Sequence, residues 1–299
     1  MDAYHVPVLL EQSINGLSIN PNGIYVDCTF GGGGHAAAIL AQLKTGKLVA
    51  FDHDTDALAN KPDNENLILV QGNFRYMRNY LRYHNIHQVD GILADLGVSS
   101  HHFDAEERGF SFRFNSGLDM RMNQSATLTA EKILNEYPVD DLKNIFKNYG
   151  ELNTAGRIAG FIDRERKKQR LTTVEQFKEL LKPILPPKMQ AKILAQVFQA
   201  LRIEVNQEME ALKEILVQTE EVLKPGGRLV VITYHSLEDR LVKNYIKNGM
   251  FDGEPEKDLF GNFKVPFSLV NRKVIIPDDA EIERNNRARS AKLRIAERN

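Results

Sequence analysis

The sequence predicts an α/β fold: a doubly wound, mostly parallel sheet with an inserted all-helical domain. Three observations predict it. From residue 24 short apolar runs alternate with helical stretches, the alternation stops between about Leu128 and Leu185, and an unbroken apolar run at RLVVITYHS (228–236) resumes it. Strands that alternate with helices need crossovers covering both faces of a parallel sheet. A chain of 299 residues is long enough for two domains. They are expected at 1–110 together with 210–299, and at 111–209.

The first four strands are read at IYVDCTF (24–30), KLVAFDHD (47–54), LILVQGNF (67–74) and DGILADLG (90–97), each followed by a helical stretch or a loop. Within the helical block, helix starts are signalled at Thr127, Pro138 and Thr173, and a proline break falls at PPK (186–188). A long amphipathic stretch from Lys188 to Leu223 leads to a KPGG turn and then to RLVVITYHS, whose continuous apolar run suits a buried strand. A last β-like pair near FKVPFSLV (263–270) and RKVIIP (272–277) is expected to close the sheet ahead of a basic tail.

Composition narrows the class. Apolar residues at 42% and charged residues at 26% are ordinary for a globular protein. The leading MDAYHVPVLLEQ carries an acid and a proline where a signal or transit peptide would carry basic residues, and no run reaches the roughly 18 apolar residues of a membrane span. A cytoplasmic location follows, with neither membrane nor DNA as an expected partner. A single cysteine, Cys28, excludes an intramolecular disulfide and a multi-cysteine zinc site, and its strand setting suits a buried structural thiol. The formal charge of -1 gives no general attraction to phosphate. An RNA partner would have to use local runs: RERKKQR (164–170), or the tail with Arg287, Arg289, Lys292 and Arg294. Solvated helix faces explain such runs equally well.

FGGGGHA (30–36) follows the first strand, opens a helix, and satisfies G-x-G-x-x-A through Gly31, Gly33 and Ala36. Asp52 ends the next strand about 20 residues later, where a ribose partner belongs. The pattern suits a nicotinamide dinucleotide or S-adenosyl-L-methionine, since both bring an adenosine to that crevice. Asp27, just before the loop, favours the methyl donor. An acid there repels a pyrophosphate but receives an ammonium, while amides around Gly33 to His35 receive a carboxylate. Asp52, Asp54 and Asp56 imitate the start of a calcium loop, but Ala57 stands where that loop needs glycine, and no metal is expected.

Methyl transfer is an in-line displacement, which needs positioning and preorganised electrostatics more than a strong base. An exocyclic cytosine amine is a poor nucleophile, because its lone pair is delocalised into the ring. Acceptors that grip its hydrogens would help, and Asp95, at the end of the fourth strand in ADLGVSS, is the candidate catalytic residue. A turn-capping acid is the alternative role. ERGFSFRF (107–114) alternates arginines with phenylalanines, as suits stacking on unpaired bases or packing in a core. Tyr234, His235 and Ser236 end the fifth strand on the ligand edge.

HVPVLLEQ, DCTFGGGGHA, DLGVSS, DAEERGFSF, LDMRMN, QALRIEVNQEMEAL, TYHSLEDRLVK and RSAKLRIAER, spread from residue 5 to residue 298, together resemble the bacterial 16S rRNA (cytosine-N4)-methyltransferase family. The resemblance implies a Rossmann-like S-adenosylmethionine-dependent methyltransferase fold interrupted by a helical domain for substrate recognition. It implies S-adenosyl-L-methionine as cofactor, with Gly33, Gly34 and His35 at its methionine part, Asp52 at the ribose, Phe74 near the adenine, and Asp95 in the donor pocket. The partner it implies is 16S rRNA within a late-assembled small ribosomal subunit, at the decoding region. A homodimer is compatible with it. The family often has Pro-Gln after its Ser-Ser pair, with the Gln on the donor. This chain has His101 and His102 there, and His102 stands at the position of that Gln as the candidate for the contact. Two rivals explain less: an assembly factor accounts only for the basic runs, and a dehydrogenase leaves Asp27 and the helical insertion without a role.

Overall fold

The computed structural model describes residues 7–97, 106–253, 255 and 264–299. In chain order the elements are α1 (Leu10–Leu17), β1 (Ile24–Asp27), α2 (Gly34–Leu40), β2 (Lys47–Asp52), α3 (Thr55–Leu58), β3 (Leu67–Gln71), α4 (Met77–Tyr83) and β4 (Val89–Asp95). Five helices follow: α5 (Ala130–Glu136), α6 (Val139–Asn148), α7 (Ala155–Arg166), α8 (Val174–Leu181) and α9 (Gln190–Asn206). The chain then returns through α10 (Glu208–Val222), β5 (Leu223–Thr233), α11 (Ser236–Asn248), β6 (Phe267–Leu269), α12 (Asp279–Arg284) and β7 (Lys292–Arg298). It divides into two compact units, residues 1–97 with 209–299, and residues 98–208.

In the first unit the seven strands are ordered β3-β2-β1-β4-β5-β7-β6. The first five are parallel, and β7 runs antiparallel between β5 and β6. This is the doubly wound, mostly parallel Rossmann-like sheet that the alternating pattern called for. Successive side chains point to opposite faces, so each central strand feeds two cores. Val26, Val49, Phe51, Ile92 and Val231 pack with Met77 and Leu81 of α4 and with Leu212 and Ile215 of α10. Tyr25, Leu48, Leu93, Val230 and Ile232 pack with Leu17 of α1 and Ile39 of α2.

The second unit has its own core, which includes Phe146, Phe177, Val197 and Phe198. Thr173 starts α8 with a full capping box, its hydroxyl taking the Gln176 N–H, and Pro138 precedes α6. The first cap is Thr129, not Thr127, since its hydroxyl accepts the Lys132 N–H. The stretch from Lys188 breaks at Gln207, which adopts φ 51° between α9 and α10. Phe146 is wholly buried in this unit. Phe146→Ala should therefore cost about 3–5 kcal/mol in urea unfolding, and a loss below about 1 kcal/mol would mean that this core is not closely packed.

Two sequence expectations need correction. The first domain boundary falls before residue 98 rather than at 110. Phe110 packs in the helical core, and Arg108 donates from Nη2 to the carbonyls of Arg121 and Met122 at 3.0 Å, which ties this segment to the second unit. RKVIIP forms no strand. It makes one bridge, Ile275 to Leu293, and the partner of β6, the edge strand within FKVPFSLV, is the basic tail itself, because KLRIA alternates inward Leu293 and Ile295 with outward Lys292 and Arg294.

Candidate active site

The strand order reverses direction between β1 and β4, and the crevice outside the carboxyl ends at such a switch is where doubly wound sheets bind ligands. β1 ends on Asp27 and β4 ends on Asp95, side by side across that switch, while β2 delivers Asp52 one strand further out.

Asp27 is fully buried, as a residue at the end of a central strand would be. Its Oδ1 accepts the Thr29 N–H at 3.0 Å, an Asx turn that starts the glycine loop, and its Oδ2 has no partner among the described residues. Burial pushes this carboxyl up to about 6, against the pull of His35 and of the Thr29 N–H. A buried carboxylate with one bare oxygen is a receptor for a cation or an N–H donor.

Asp95 sits with its side chain 14% exposed. The Tyr234 hydroxyl donates to Oδ1 at 2.8 Å, and Oδ2 stands 3.7 Å from Nδ1 of His35. Burial raises the Asp95 carboxyl to about 7, with the Tyr234 bond opposing the rise. Tyr234 is itself held well above the ordinary range by burial and by Asp95, so it remains a phenol and a donor. His35 lies 3.1 Å through Nε2 from the carbonyl oxygen of Val8, which can only accept. The hydrogen of neutral His35 is therefore on Nε2, and Nδ1 presents a lone pair to Asp95. Burial pushes the His35 imidazole down despite Asp27 nearby. Two acceptors face one another across this gap, and a single proton between them relieves the pair. Burial thus raises the Asp95 carboxyl and lowers the His35 imidazole that faces it.

Thr29 joins the two acids. Its hydroxyl accepts the Asp95 N–H at 2.8 Å and lies 3.5 Å from Asp27 Oδ1. The sequence reading missed it, although an Asp two residues before a Thr at a strand end is an Asx-turn signature. Glu281 was missed as well. From α12 it accepts the Leu9 N–H at 2.6 Å and pins a residue at φ 51°, and a separation of 272 residues leaves no local sequence signal.

The glycine loop is built for close approach. Gly33 caps α2 at φ 77°, where an added Cβ would come within 3.1 Å of the Phe30 ring, and at Gly34 it would meet Pro7 at 2.9 Å. Asp52 spends one bond from each oxygen on backbone, Oδ2 on the Gly31 N–H at 2.8 Å and Oδ1 on the Asp54 N–H at 2.9 Å. Each oxygen keeps a lone pair, so bracing the loop and accepting a hydroxyl are compatible roles. Phe74 opens a 3-10 turn after β3 and is half-buried against the core beside α4. Cys28 is buried, and burial pushes its thiol well up, which suits a structural role. His102, with Ser99, Ser100 and His101, lies outside the described residues.

Other candidates have partners within the protein. Phe110 belongs to the helical core and Phe112 packs edge-on to Phe198 at 5.6 Å, so these rings pack instead of presenting stacking faces. His235 caps α11 in a capping box with Glu238. The basic run is matched by acids: Arg166 and Lys167 bind Asp163, Arg164 and Lys168 bind Glu165, and Arg170 binds Glu131 and Glu136. In the tail, Lys292 and Arg294 both pair with Asp239.

A protein-family model described as the MraW methylase family matches residues 2–299 of the chain. The chain is 59% identical over 296 residues to the ribosomal RNA small subunit methyltransferase H of Bacteroides thetaiotaomicron, covering 99% of this chain and 97% of that one. To the protein of the same name from Flavobacterium johnsoniae it is 58% identical over 296 residues, covering 99% and 98%.

Proposed function

The chain belongs to the MraW methylase family, and from that premise we propose that it transfers a methyl group from S-adenosyl-L-methionine to the N4 amine of a cytidine in the decoding region of 16S rRNA, acting on the small ribosomal subunit in the cytoplasm. The observation that carries the chemistry is the pair of buried strand-end acids: Asp27 with one bare oxygen, and Asp95 coupled to Tyr234 and His35. No helix among the described residues is long and apolar enough to cross a membrane.

The residues present fit the donor. Asp27 Oδ2 is a receptor for its ammonium, Gly33 and Gly34 let backbone come close to its methionine part, and Asp52 has lone pairs left for ribose hydroxyls. S-adenosyl-L-methionine supplies, when bound, a methyl carbon made electrophilic by its sulfonium. Asp95 Oδ2 accepts a hydrogen of the cytosine amine, which draws the lone pair out of conjugation, and takes the proton as the new N–C bond forms. Tyr234 holds Oδ1 and so leaves Oδ2 to face the amine. The proton then leaves Asp95 for solvent. Every residue in this scheme comes from one chain.

Helix α7 and the run after it are the part of the helical unit that suits substrate recognition. Lys167 and Lys168 are about 70% exposed and paired only within their own segment. Exposed pairs of this kind are weak, so a phosphate displaces the acid at little cost.

Asp95 acts only when ionised, so activity should rise with pH through about 7. Tyr234→Phe removes the bond that lowers the Asp95 carboxyl, and the rising limb of kcat/KM should move to higher pH while the limb's shape is kept. An unmoved limb would show that the group titrating is not Asp95. The function as a whole is tested by heating the protein with and without the donor, and by following labelled methyl into purified small and large subunits. Donor protection with label in the small subunit alone is expected. Label confined to the large subunit would overturn the substrate.

A further inference from the structure

The described cations of the two basic segments are largely matched by acids, which turns attention to a surface neither segment includes. From Asn66 to Val89 the sequence holds three arginines and two histidines and not one acid. α4 and the 3-10 turn before it carry most of these. Met77 and Leu81 bury the inner side of α4 in the sheet core. On the outer side Tyr76 is 51% exposed and Tyr83 80% exposed, seven residues apart. Tyr76 ends the 3-10 turn that leads into α4 and Tyr83 is the last residue of α4, so the two exposed rings stand at the two ends of the helix.

Three arginines recur along the same segment, at positions 75, 78 and 82. Arg75 is tethered to Glu214 and lies 5.7 Å over the Tyr76 ring, and Arg78 is tethered to Glu221, both acids on α10. Arg82 is the third, exposed, and its guanidinium has no partner among the described residues. The surface around the rings is polar and open at Asn79, Asn85 and His87. A protein partner would ask for an apolar centre. Two exposed rings flanked by a free cation and short amides match an unpaired nucleic acid strand instead, whose bases stack and whose phosphates attract the cation.

We propose that the outer face of α4, with Tyr76, Arg82 and Tyr83, is a docking surface for a single-stranded segment of the RNA substrate. The tyrosines stack on unpaired bases and Arg82 holds a backbone phosphate. A helix that follows a parallel strand runs back from the ligand edge. Tyr76, two residues after Phe74 and beyond the end of β3, therefore lies at the ligand edge of the sheet, with Tyr83 about two turns away. The surface leads towards the candidate active site within the same unit. This inference rests on the RNA-methyltransferase reading above.

The test uses the full-length protein and a fluorescent, unstructured pyrimidine RNA oligonucleotide. Tyr83→Ala should weaken binding about tenfold and Tyr83→Phe should preserve it. Arg82→Ala should weaken binding and lower the slope of log affinity against log salt by about one. In the methyl-transfer assay Tyr83→Ala should raise KM for small subunits and keep kcat, with donor affinity and melting temperature unchanged. Variants that bind the RNA as tightly as the wild type overturn the surface, even where the wild type methylates the subunit. A wild type that methylates no RNA, with Tyr83→Ala and Arg82→Ala still impaired in binding, upholds the surface and sinks the functional reading.

Discussion

Replacing Asp95 by Asn should cut methyl transfer about 10²–10⁴-fold and, at the same time, make the folded protein more stable at pH 8. The activity loss follows from removing the one acceptor at the end of β4 that can take a proton from the substrate amine. The stability gain follows from linkage. The Asp95 carboxyl is raised from the ordinary 3.8 to about 7 by burial. Between those values the folded chain holds a proton that the unfolded chain has released, so stability falls as pH rises across the window and the loss is complete above about 7. Asn stays neutral throughout, still accepts from Tyr234, and offers an amide N–H towards His35 Nδ1. The variant should therefore gain on the order of 1–4 kcal/mol over the wild type at pH 8, and nothing below pH 4. Urea titrations at the two pH values check it. A variant that is less stable than the wild type at pH 8 would mean that Asp95 is a structural acid; full activity would remove it from the chemistry.

Replacing Asp27 by Asn should weaken donor binding by about 10- to 150-fold, the equivalent of about 1.5–3 kcal/mol for a hydrogen bond to a charged group. Asp27 Oδ2 is the one carboxylate oxygen found buried without a partner among the described residues, so a cation that reaches it is bound in a dry setting. Because burial raises its carboxyl to about 6, the wild type should itself lose donor affinity as pH falls through 6, and Asp27→Asn should show a flat profile there. Titration calorimetry with S-adenosyl-L-methionine between pH 5 and 8 reads both effects. Equal affinity in wild type and variant across that range would move the ammonium away from Asp27.

The alternation of apolar strands with helical stretches was sufficient to read β1 to β5, because strands buried on both faces are apolar throughout and their turns carry glycine, proline or acids. It was insufficient for β7. KLRIAER resembles a cationic tail in composition, and it becomes a strand because two-residue alternation seats Leu293 and Ile295 on the sheet while Arg294 finds Asp239 on α11. The charge run at 164–170 is likewise only half legible. Cations are visible in a sequence, but some of the acids that neutralise them, Glu131 and Glu136 for Arg170, come from elsewhere on the chain.

In the site itself, Asp27, Gly33, Asp52 and Asp95 could be picked out because strand-end acids and a strand–glycine–helix turn are local patterns. What joins them is not local. His35 facing Asp95, and Tyr234 bonding to it across 139 residues, follow from β4 and β5 lying side by side with α2 above them. The aromatics of ERGFSFRF went the other way: their alternation with arginine suggested a binding stripe, and packing claimed Phe110 and Phe112 for the helical core.

The central claim is that one exocyclic cytosine amine in small-subunit RNA receives the methyl group. Its most direct test incubates the protein with labelled S-adenosyl-L-methionine and small ribosomal subunits from cells lacking the enzyme, then digests the RNA to nucleosides for mass spectrometry. Label on N4 of cytidine at a single position is the expected result. Label on carbon 5, on another base, or on no nucleoside despite measured donor binding would contradict it.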